Sequence, residues 1–108
     1  MSTLLNVFSR TKNPDKLIKQ SLANLDVLMA PPTEQKAEEA GEDIIEKLGT
    51  MKGILYGDAD NDPDPTRVTT LITKLIEEPL LPSLLEHLEV IPFEARKTTS
   101  LIFSNLLR

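Results

Sequence analysis

The sequence predicts an all-α protein, and three observations carry that reading. Apolar residues recur at i, i+3 and i+4 in five successive stretches, and none shows a convincing period of two. Prolines punctuate those stretches. Leucine and isoleucine supply most of the apolar content, with only three phenylalanines and one tyrosine, which favours helices over a sandwich.

The elements follow in order. Residues 1–12 are expected to be a flexible N-terminal extension, and 13–108 one helical domain. Asn13-Pro14 opens a first helix, about 14–29, with Leu17, Ile18, Leu22, Leu25, Leu28 and Met29 inward. It must stop before Pro31-Pro32. Thr33 caps a second helix, 33–56, whose stripe Ala37, Gly41, Ile44, Leu48, Met51 and Leu55 steps by four and three. Gly57 closes it, and Asp64-Pro65 reads as an N-cap followed by proline at the first helical position. The third helix, 65–78, carries Val68, Leu71, Ile72, Leu75 and Ile76 until Glu78-Pro79 breaks it. A short fourth, 80–89, carries Leu80, Leu81, Leu84, Leu85 and Leu88. Pro92 restarts the chain for a fifth, 92–107, with Ala95, Thr99, Ile102, Phe103 and Leu106 inward. The expected core includes Leu48, Leu71, Leu84, Ile102 and Phe103.

Between Gly57 and Pro65 lies "DADNDPD", with Asp58, Asp60, Asp62 and Asp64 at every second position. A helix–loop–helix calcium site also needs glycine at its sixth position and a bidentate glutamate at its twelfth. Counted from Asp58, those places hold Pro63 and Thr69; counted from Asp60 or Asp62, the twelfth is Leu71 or Thr73. The run is therefore read as a solvated turn that binds no metal, its acids placed near a helix N-terminus.

The last three helices, short, short and long within some 45 residues, have the layout of an armadillo or HEAT-type repeat. The predicted fold is a right-handed helical solenoid with an N-terminal cap and one three-helix repeat, as in the N-terminal third of a longer protein. A closed five-helix bundle is the alternative. Leu101 and Leu107 fall outside the inward stripe of the last helix, and the sequence stops at "NLLR" with no polar cap. Both features suit a solenoid face awaiting a neighbour, and they predict self-association of this chain through Leu101 and Leu107, as a two-fold or helix-swapped dimer.

Composition narrows function. With 108 residues, 27% of them charged, a net charge of −5 and no cysteine, there is no disulfide framework, thiolate metal site or basic footprint for nucleic acid. No apolar run approaches the ~18 residues of a membrane span, and a cytoplasmic location is expected. His87 stands alone, without a second histidine or a metal-binding spacing. Gly49, Gly53 and Gly57 lack the Lys-Ser/Thr of a phosphate loop and read as a thinned helix face. Glu38, Glu42 and Glu46 form a solvated ridge. No catalytic, cofactor or metal residue is assigned, and no enzyme is expected.

Two segments carry a resemblance. "MKGILYG" (51–57) and "IPFEARKTTSLIFSNLLR" (91–108) resemble the N-terminal region of the calcium-binding protein 39, or morula protein 25, family of armadillo-like scaffolds. "NPDKLIKQSLANL" and "VTTLITKLIEEPLLPSLLEHL" fit in layout, so the resemblance spans essentially the whole chain. It implies a non-enzymatic scaffold that binds Ste20-type kinases, or a kinase–pseudokinase pair, and holds them active in polarity signalling. The family's main kinase-contacting surfaces lie in later repeats, so no binding residue carries over. On helical geometry, the outward ladder Lys97, Ser104, Asn105 and Arg108 is the candidate partner surface. The alternative function is a self-contained helical module that dimerises or binds an amphipathic peptide.

Overall fold

A computed structural model describes residues 13–57 and 62–107. Among them are five helices and no strand: α1 (Pro14–Met29), α2 (Glu34–Tyr56), α3 (Pro65–Glu77), α4 (Leu80–Glu86) and α5 (Phe93–Leu106). The termini are where local chemistry places them. The Asn13 side chain accepts from the amides of Asp15 (2.9 Å) and Lys16 (3.4 Å), and Thr33 Oγ1 accepts from Lys36 N at 3.0 Å. Asp64 caps α3 by accepting from Thr66 N at 2.9 Å, with Pro65 in the first turn. Gly57 ends α2 at φ 75° and ψ −168°, an extended positive-φ conformation that glycine adopts without Cβ strain. Helix α4 stops at Glu86, short of the expected Glu89, because His87–Val90 folds into a turn closed by Val90 N donating to His87 O at 3.0 Å.

Helices α1 and α2 form the centre. Helices α3 and α4 pack chiefly on α1, α5 packs chiefly on α2, and α3 also touches α2. One continuous core results. Leu17, Ile18 and Leu25 of α1 meet Ile44, Leu48, Met51 and Leu55 of α2, while Leu71, Leu75, Leu80 and Leu84 close over α1. Pro92 seats on α2 because residue 41 is glycine: a Cβ there would stand 3.2 Å from the Pro92 ring.

Several expected core residues are not buried. Ile76 is 80% exposed and Leu85 52%, and Met29 is also exposed. Ile76 and Leu85 each lie one residue past a buried leucine, Leu75 and Leu84, about 100° around the helix axis. Met29 ends α1 next to the partly buried Leu28. Phe103 follows the buried Ile102 and is half-buried. Since α5 rests chiefly on α2 alone, only the narrow line Ala95–Thr99–Ile102 is covered.

Candidate interaction surface

What α5 turns toward α2 determines what it turns outward. Its inner line steps by four and three, and Thr99 keeps its hydroxyl satisfied there by donating to Ala95 O at 2.8 Å. A second tie lies further along, where Tyr56 Oη donates to the Leu101 carbonyl at 2.8 Å. The helix is thus fixed at Pro92–Gly41 and at Leu101–Tyr56.

The opposite side presents Phe93, Lys97, Leu101 and Ser104, spaced by four, four and three, with Leu107 one further step on. Phe93 is 63% exposed, Leu101 43% and Leu107 82%. Lys97 Nζ lies 5.2 Å from the centre of the Phe93 ring and 3.2 Å from Glu94, and Arg96 lies 5.6 Å over the same ring. Of this group, an exposed phenylalanine and an arginine are side-chain types enriched in protein–protein interfaces, whereas lysine is depleted there.

Of the ladder expected from sequence, Lys97 and Ser104 share this exposed stripe, Asn105 turns half inward, and Arg108 lies outside the described residues. Leu101 and Leu107 stand outward as helical spacing requires. Phe93 and Arg96 were absent from the ladder. Their positions, four before and one before Lys97, were a signal available in "PFEARK".

Elsewhere polar groups hold structure. Across the α1–α2 interface Asn24 Nδ2 donates to Asp43 Oδ2 at 2.7 Å, and Lys47 Nζ donates to Asp43 Oδ1 at 2.7 Å. Partial burial pushes the Asp43 carboxyl up, but the hydrogen bonds from Lys47 and Asn24 and the Lys47 charge together hold it below the ordinary value of 3.8. His87 ends α4, half-buried, 3.9 Å from Glu86. A Cβ at Gly49 or Gly53 would meet nothing within 4 Å, so these glycines do thin the helix face. Among the described residues no group of three His, Cys, Asp or Glu side chains is placed to hold a metal ion. Of the acidic turn, Asp58 and Asp60 lie outside those residues, so the expectation of no calcium there rests on its spacing. No helix among the described residues is long and apolar enough to cross a membrane.

Five helices and no strand among the described residues, layered around a central pair, define the class: an all-helical protein whose layout is consistent with a helical-repeat fold. The particular family follows from comparison. Residues 6–108 match the Mo25-like family model, and the chain belongs to that family. It is 35% identical over 103 residues to mouse calcium-binding protein 39-like, covering 94% of this chain and 30% of the relative. It is 32% identical over 93 residues to MO25-like protein 2 of Caenorhabditis elegans, covering 86% of this chain and 28% of the relative. It is 31% identical over 99 residues to the conidiophore development protein hymA of Emericella nidulans, covering 92% of this chain and 25% of the relative. The chain therefore spans less than a third of the length of these relatives. Family membership suggests a scaffold-type role, and none of the three is named for a reaction.

Proposed function

We propose that this chain is part of a non-enzymatic cytoplasmic scaffold that binds protein kinases of the Ste20 class, or a kinase–pseudokinase pair, and stabilises their active state in polarity and morphogenesis signalling. The observation that carries the proposal is the Mo25-like match across residues 6–108. The relative named for conidiophore development fits a morphogenetic role. On this chain the contact surface is the α5 stripe, where Lys97 lies between exposed Phe93 and Leu101 and Ser104 between Leu101 and Leu107. Phe93 supplies apolar area at low entropic cost, and Arg96 and Lys97 supply charge-assisted donors for acidic partner groups.

The test is biolayer interferometry of the 108-residue chain against purified Ste20-class kinase domains, with peptide phosphorylation measured alongside. Saturable binding is expected, weakened about tenfold or more by Phe93→Ala with Lys97→Glu, together with a higher phosphorylation rate when the chain is present. No binding to any of the kinases at ~100 µM chain, an affinity of less than about 5.5 kcal/mol, would overturn the α5 stripe as a kinase contact. No binding by the same kinases to a longer chain that includes the following repeats would overturn the scaffold reading.

A further inference from the structure

We draw no further inference here: the strongest candidate, the outer face of α2 on which exposed Glu38 and Glu42 share helical spacing with Gly49 and Gly53, is an acidic cluster running into a small-residue stripe, and nothing in the structure shows what covers it.

Discussion

The α1–α2 pair and α5 are both amphipathic and helical, yet they are held in different ways. In the central pair the inner stripes cover one another, and other helices cover much of the rest. Leu17, Ile18, Ile44, Leu48 and Met51 lose all contact with solvent, and a half-buried Asn24–Asp43–Lys47 network ties the rim. Helix α5 is covered on one narrow line, anchored by Pro92 over Gly41 and by the Tyr56 hydroxyl, and its outward side keeps apolar residues in water. Burial is concentrated in the pair, and the contact proposed for a partner lies on the helix the pair leaves half-dressed. A protein that recognises partners through a helix face must leave that face incompletely satisfied at home.

The sharpest way to break this comparison is to truncate equivalent-looking side chains in the two regions. Leu48→Ala should cost about 3–5 kcal/mol in urea unfolding, because a fully enclosed site cannot collapse onto the cavity. Phe103→Ala should cost only about 1–2 kcal/mol, since part of the ring already faces solvent. Equal losses would show that α5 is packed as deeply as the pair.

Removing the Tyr56 hydroxyl with Tyr56→Phe tests the α5 anchor. A loss of about 0.5–1.5 kcal/mol is expected, with faster amide exchange confined to α5 if that helix is the less stable unit. Exchange rising equally in α1 would contradict the division drawn here.

Asp43→Asn probes the rim of the pair, and its effect has a definite sign with pH. The folded carboxyl titrates below its unfolded value of 3.8, so the network's contribution is fully present above that pH and is lost as pH falls through the folded value. Solvent screening limits the loss to about 0.5–1 kcal/mol at pH 7. The difference between wild type and variant should be constant well above pH 3.8 and shrink as the pH falls below it. A gap that persists in acid would mean the side chain acts by packing and not by charge.

The smallest effect runs the other way. Gly53→Ala places a methyl in open space on α2 and should stabilise by about 0.5–1 kcal/mol. Gly41→Ala should gain less or lose, because its new methyl meets the Pro92 ring at 3.2 Å. Matching thermal shifts for the two would remove the reason given for glycine at 41.

Caps and breakers act within a few residues of themselves, so helix boundaries were legible without any fold. Asn13-Pro14, Thr33, Gly57 and Asp64-Pro65 each mark a terminus where the structure has one, and "PFEARK" could have pointed to Phe93 and Arg96. The all-helical class and the sequence family were legible too, the first from apolar spacing and the second from segments such as "IPFEARKTTSLIFSNLLR".

Which apolar residues lie inside was only partly determined. Periodicity names a stripe about 100° wide or more, but how much of it is covered depends on how many neighbours a helix has. Leu71 and Ile76 read alike in sequence, and so do Leu84 and Leu85, or Ile102 and Phe103. Only the placement of α3 and α4 on α1, and of α5 on α2, decided that the first of each pair is buried while the second stays exposed or half so.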